Sequence, residues 1–261
     1  QGTRRKGVGS AAARRLCEPQ EVSGPRTPEK FLLNRRGFNA GLGGLLLSGL
    51  VACGGGDSDP VPVMSVDING TSTINAGSLS GQLATYPLSS LSSAEADSLI
   101  FMRQEEQLAH DVYAVSATLW APPIFANITA SEATHSAAVR TLIERYQLAD
   151  PLAGLPNGSF KSAAFQALYD ALVLASRVSV VEALKVGVQI EELDIRDITQ
   201  QQAAIDNPDI LTVYGNLLRG SRNHLRAFVK VLAQQGGTYV PRYLSQAEFD
   251  AIVSTPLETG G

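Results

Sequence analysis

Ser131-Glu132-Ala133-Thr134-His135 lies inside a long amphipathic stretch, and its Glu-x-x-His step decides how the chain is read. Three residues apart on a helix, a carboxylate and an imidazole leave the same face and can serve one metal ion from one wall of a bundle. So short a motif also arises by chance. Its weight depends on whether the rest of the chain supplies the other walls.

Working outward, Pro122-Pro123 before the motif and Gly154, Pro156 and Gly158 after it bound one helical segment, from Pro123 to about Tyr146. Ahead of it, Ser92 and Glu95 form a capping box with Leu91 as the staple residue, which predicts a helix from about Ser93 to Trp120. Behind it, a connection up to Val178 carries a shorter helix with Phe165, Leu168, Tyr169 and Leu172. Ser179 with Glu182 predicts a second capping box and a third long helix to about Asp206. Asn207-Pro208 starts a fourth that stops at Gly236-Gly237, and Ser245 with Glu248 caps a last short one. No strand pattern competes after residue 90. Two long helices, a long connection and two more long helices give the order of an all-α four-helix bundle with one crossover, since up-and-down bundles need only short loops.

At 100° per residue, each long helix mixes one or two metal-capable side chains into its apolar stripe. On the second, Glu132 and His135 share a sector with Ile128, Val139, Leu142 and Tyr146. On the first, Glu106 lies among Leu99, Met102, Tyr113, Ala117 and Trp120; on the third, Glu191 lies among Leu184, Val188, Ile195 and Ile198. On the fourth, His224 lies among Ile210, Val213, Leu217, Phe228 and Val231. An unpaired buried ion costs several kcal/mol, so four inner faces loaded this way need a common counter-charge. A divalent metal supplies it, and a mixed carboxylate and imidazole shell suits iron or manganese better than calcium or copper(I). The plainer reading is a hydrogen-bonded polar core without metal.

Glu106-Gln107-Leu108-Ala109 with Tyr113 resembles the first-helix signature of rubrerythrins and other ferritin-like diiron proteins, and Glu132 with His135 resembles their second-helix ligands. More closely, the stretch from about Leu91 to Leu232 resembles the uncharacterised ferritin-like family catalogued as domain of unknown function 2202. Glu105 to Tyr113, Glu191-Glu192-Leu193-Asp194-Ile195 and Arg219 to Phe228 carry that likeness. It implies a ferritin-like bundle over residues 91–237 and says almost nothing of activity. The fourth helix departs from the diiron pattern, because Ser221 stands where a carboxylate would precede His224. Three arrangements follow: a second metal with fewer protein ligands, Asp194 taking the missing place, or a single metal. Without cysteines in the body there is also no rubredoxin centre to deliver electrons.

Glu105 and Glu192 adjoin the expected ligands but fall toward the flanks of their stripes. His110, one turn after Glu106, is expected to face solvent or cap, with orientation of Glu106 as the sharper role. Tyr113 reads as a core aromatic. Arg219, Arg222 and Arg226 form a basic row expected to pair with acids such as Asp194 and Asp197, with anion binding as the lesser reading.

The front of the chain differs from the rest. Nine of the 21 Lys and Arg but only three of the 25 Asp and Glu precede Cys53, so the remainder carries 12 basic against 22 acidic residues. That balance argues against a nucleic-acid partner and mildly favours cation attraction. Residues 1–30 read as an upstream extension; Asn34-Arg35-Arg36-Gly37-Phe38 and the glycine-diluted apolar run after it resemble a twin-arginine export signal. Leu50-Val51-Ala52-Cys53 resembles a bacterial lipoprotein signal, with Cys53 as the acylated residue, and residues 53–90 read as a flexible tether to a membrane. Residues 238–261 form a tail with one short helix. With both cysteines near the front, the body holds no disulfide or zinc-finger site, and no run reaches the roughly 18 apolar residues of a membrane-spanning helix. The expectation is an exported, lipid-anchored ferritin-like domain with a buried non-haem metal site, read as di-iron, doing redox or metal-handling chemistry, with dioxygen or peroxide meeting the iron. The competing class is a non-catalytic envelope protein for metal storage, sensing or interaction.

Overall fold

A computed structural model describes residues 61–259. The expected upstream extension, the expected export signal and Cys53 lie outside the described residues. The described chain runs β1 (Met64–Val66), β2 (Ser72–Ile74), α1 (Ala76–Ala84), α2 (Ser93–Leu119), α3 (Ile124–Arg145), α4 (Ala163–Ser176), α5 (Val180–Gln202), α6 (Pro208–Gln234) and α7 (Gln246–Val253). It is all-α apart from one small hairpin.

Local chemistry sets the helix ends. Ser92 accepts from the Glu95 N–H while the Glu95 carboxylate accepts from the Ser92 N–H at 2.9 Å, closing the expected capping box. The same carboxylate also accepts from the amides of Asp206 and Asn207, so the start of α2 holds the turn before α6. The box at Ser179 is only half formed: the hydroxyl caps the Glu182 N–H, but the Glu182 side chain turns away to Lys185 at 2.8 Å. At the far end of α6, Gly236 takes φ +72°, its N–H bonding Ala233 O and that of Gly237 bonding Leu232 O. This left-handed glycine stop satisfies carbonyls that would otherwise be orphaned.

Side-chain contacts give the direction of each long helix. Gln201 near the end of α5 reaches Met102 near the start of α2, while Tyr113 further along α2 donates to Glu191 and Gly187 nearer the start of α5. These two helices are therefore antiparallel. Phe228 late in α6 packs at Gly187 and against Phe125 at the start of α3, and Tyr146 just past α3 donates to Asp209 at the start of α6. So α6 is antiparallel to both α5 and α3, which leaves the consecutive long helices α3 and α5 parallel. Parallel neighbours in sequence demand a return path, and the segment from 147 to 179, carrying α4 across α2 and α5, is that crossover.

Two apolar clusters fill the bundle. Val112, Tyr113, Phe125, Leu184, Val188 and Phe228 lie at one end; Leu99, Met102, Leu142, Ile210, Val213 and Tyr214 lie at the other. Along α2, α3 and α6 the polar inner residues fall between the two sets, and Glu191 of α5 meets them there, so a charged layer is sandwiched in the middle.

Residues 61–90 are not simply a tether. Within them Met64, Ile74, Leu79 and Leu83 are buried in the second cluster. The β1–β2 hairpin pairs antiparallel with Met64 opposite Ile74. Its turn is built by Asp67, whose Oδ1 accepts from the amides of Asn69 and Thr71 at 2.8 Å each, and by Gly70 at φ +85°. Three-residue strands are too short for a period-two pattern to stand out, and their outward faces are polar, so composition suggested a linker where the chain is folded.

Candidate metal centre

Glu106 from α2, Glu132 and His135 from α3, Glu191 from α5 and His224 from α6 come together in the middle layer, each at most 1% exposed. The wheel placement on all four long helices is reproduced. Glu132, His135 and His224 each offer one ligand atom, and these atoms lie within 4.8 Å of one another.

Glu132 is central, with one oxygen toward each ring. Its Oε2 stands 3.2 Å from His135 Nδ1 and its Oε1 2.8 Å from His224 Nδ1. Glu106 adds an oxygen 3.5 Å from His135 Nδ1, and Glu191 one at 3.5 Å from His224 Nδ1. The cluster thus has two similar halves, each an imidazole, a terminal carboxylate and one oxygen of Glu132. Although these atoms are close, both Nδ1 atoms, both oxygens of Glu132 and both of Glu106 lack an aligned hydrogen-bond partner. Donor atoms that meet as ion pairs yet make no aligned hydrogen bond to one another keep lone pairs for the space between them. Leaving that many buried polar atoms unsatisfied would cost on the order of 1–3 kcal/mol each, so the arrangement fits a bound cation.

Protons carry the positive charge of the cluster. Burial opposes charge on the two rings, but Glu132 and Glu106 raise His135 to about 10, and Glu191 and Glu132 raise His224 to about 9. Burial likewise opposes ionisation of Glu132, yet the two imidazoles hold it well below the usual carboxylate range. Burial pushes Glu106 up to about 7, moderated by its contact with His135. Glu191 is raised by burial as well, against the pull of His224.

Asp194 lies beside this layer, 1% exposed, with both oxygens unpartnered, and burial together with Glu105 and Glu191 pushes it well above its usual range. Ser221 takes no part: its hydroxyl donates back to Leu217 O in its own helix. Glu105 is buried against Asp197 rather than in the cluster, and burial, then Asp197, raise it. Tyr113 is a buried aromatic whose hydroxyl donates to Glu191 Oε1 at 2.8 Å, orienting that carboxylate. His110 turns aside to Asp111 at 2.8 Å. The arginine row pairs elsewhere than expected: Arg222 and Arg226 meet Glu258 of the C-terminal tail, and Asp197 is taken by Arg196.

Glu192, next to Glu191, faces the other way. It accepts from the Tyr239 hydroxyl and the amides of Arg242, Tyr243 and Leu244, fastening the segment after α6 to α5. Glu192→Ala is expected to lower stability by about 2–4 kcal/mol by stripping these donors of their acceptor, while metal content stays that of the unsubstituted chain. Thermal melts with elemental analysis check both halves.

Sequence reasoning missed Ser72. Its hydroxyl lies 2.8 Å from Nε2 of His135 and 2.8 Å from Nε2 of His224, on the side opposite the carboxylates. Nothing in the local sequence marks this serine; only the fold brings it to the rings.

Fold and site define a helical-bundle protein with a buried glutamate and histidine cluster of metal-binding geometry. Residues 95–256 match the family described as Uncharacterized protein domain (DUF2202), and the chain belongs to it. The chain is 44% identical over 178 residues to Uncharacterized protein MJ0754 of Methanocaldococcus jannaschii, covering 68% of this chain and 96% of that protein. The crystal structure of hypothetical protein MJ0754 from Methanococcus jannaschii DSM 2661 superposes with a TM-score of 0.65 at 45% identity, over 66% of this chain and 98% of that one. The hairpin that carries Ser72 lies ahead of the matched family region.

Proposed function

We propose that this chain is a ferritin-like protein of the bacterial cell envelope, exported and anchored through Cys53, that holds non-haem iron for redox or metal-handling chemistry. The observation that carries the metal reading is the set of orphaned donors, two Nδ1 atoms and both oxygens of Glu132, buried and converging without hydrogen bonds. The parallel α3 and α5 joined by a crossover support the ferritin-like reading.

His135, Glu106 and Glu132 would hold one ion; His224, Glu191 and Glu132 a second. The two-halved layout favours two positions over one, with Asp194 as a spare carboxylate that offsets the absence of one at Ser221. Iron bound here would supply one-electron chemistry toward dioxygen or peroxide, with manganese as the other metal this donor set accommodates. The chain's own contribution is to exclude water through the two apolar clusters and to keep Glu191 oriented through Tyr113.

Anaerobic Fe(II) titration followed by oxygen or peroxide, watched by absorbance, tests this reading. One to two Fe(II) per chain with an absorbance change on oxidant supports the redox form. Binding without a change supports storage or sensing, the non-catalytic reading. No binding, with thermal stability indifferent to Fe(II), removes the metal site.

A further inference from the structure

The imidazole rings of His135 and His224 stack with centroids 5.3 Å apart and planes 14° from parallel, which is why one hydroxyl oxygen reaches Nε2 of both. A serine hydroxyl has one proton and two lone pairs. It can accept from two Nε2–H groups, or accept from one ring and donate to the other. In the second arrangement a neutral ring carries its proton on Nδ1, and that nitrogen has no lone pair for a metal. In the first, each ring once neutral keeps its Nδ1 lone pair, and those are the atoms that point into the carboxylate cluster without hydrogen-bond partners.

We infer that Ser72 is a positioning residue of the metal centre, accepting from Nε2–H of both His135 and His224 and so fixing both rings as Nδ1 donors. This inference rests on the metal reading above, and it places part of the centre outside the family-matched region. Two further observations support it. The strand bearing Ser72 is seated by the motif's own helix: its N–H donates to Ser131 Oγ at 3.1 Å, and the Ile74 N–H donates to Thr134 Oγ1 at 3.0 Å. Those two hydroxyls flank Glu132 and precede His135. On the opposite wall α6 presents Gly220, where a Cβ would come 2.5 Å from His135 Cε1, 2.9 Å from its Nε2 and 3.1 Å from Ser72 Oγ. A side chain there would drive ring and hydroxyl apart, so the missing Cβ keeps the clamp open to both.

Partners that orient metal-bound histidines through the second ring nitrogen typically contribute 10–100-fold in affinity. The full chain loaded with Zn(II), as a diamagnetic probe, and labelled with 15N-histidine should show both site rings protonated at Nε2 and coordinated at Nδ1. Ser72→Ala should bind Zn(II) and Mn(II) about 10–100-fold more weakly with the same number of sites at saturation. Thr73→Ala, on the exposed face of the same strand, keeps the Ser72 hydroxyl and its seat and should bind close to the unsubstituted chain. Coordination of either ring through Nε2 overturns the inference, as does Ser72→Ala binding with undiminished affinity; the metal reading survives both results. If Ser72→Ala does not fold, the spectra of the unsubstituted chain decide alone. If that chain binds neither metal, the metal reading and this inference fall together.

Discussion

Glu132→Ala is expected to give protein that retains no iron at saturating Fe(II) and melts well below the unsubstituted chain even without metal. Both effects follow from position. Among the described residues Glu132 is the one carboxylate that faces both rings, at 3.2 and 2.8 Å, whereas Glu106 and Glu191 each face a single ring from 3.5 Å. Its loss takes an oxygen from each half of the site at once. In the metal-free chain the same carboxylate is the counter-charge of two buried rings, and removing one partner of a buried ion pair costs about 3–5 kcal/mol. At roughly 2–4 °C per kcal/mol for a chain of this size, the melt should fall by on the order of 10 °C. Glu132→Gln separates shape from charge: it fills the same space, and it should lose metal as fully as alanine. Iron content by elemental analysis and melting by circular dichroism are the measurements. Metal retained at the original stoichiometry in either variant would dismiss Glu132 as the shared ligand.

Metal-free protein should lose stability as pH rises above neutrality, and the metal-loaded protein should not. His135 and His224 are raised to about 10 and about 9 in the folded chain, against roughly 6.5 for an ordinary imidazole. A raised pKa means the folded state keeps its proton where the unfolded state has released it. The stabilisation is therefore complete below about pH 6.5 and is lost as pH climbs through 9 and 10. Metal needs the Nδ1 positions deprotonated, so binding expels these protons and tightens over the same interval. Melting curves between pH 6 and 9.5, with and without Mn(II), should diverge steadily, the metal-free midpoint falling while the difference grows. A gap independent of pH would mean that the rings are not where metal and protons compete. Acid works in the opposite sense through Glu132: its depressed pKa contributes stability that is present above the usual carboxylate range and lost as pH falls toward its folded value.

The four long helices were legible because their punctuation is local. Ser92 with Glu95, Pro122-Pro123, Asn207-Pro208 and Gly236-Gly237 each satisfy or remove backbone groups within a few residues, and period 3.6 then places Glu106, Glu132, His135, Glu191 and His224 on inner faces. What the sequence concealed depends on contacts far apart along the chain. Ser72 meets His224 across 152 residues, and Glu192 owes its role to a segment 47–52 residues later. Glu191 and Glu192 differ by one helical step, and the wheel favours the first, but only the folded tail explains why the second is buried too. The hairpin was missed because two three-residue strands give only a brief alternation, around Val63 to Ile68 in the first and at the lone Ile74 in the second, inside a stretch rich in Gly, Ser, Thr, Asn and Pro.

The hairpin also bears on the order in which the molecule assembles. The Glu132 and His135 wall can form within one helix, and the remaining ligands arrive as the long helices pair. Ser72 reaches the rings only by closing loops of 63 and 152 residues, and contacts of that span are slow to form because loop entropy must be met before they contribute. A bundle whose first strands have not yet docked leaves the Nε2 side of both rings open. Until the hairpin seats, the Nε2 protons of both rings lack the hydroxyl that would hold them, so under the metal reading proposed above metal capture and the fixing of the two rings would be separate events in time.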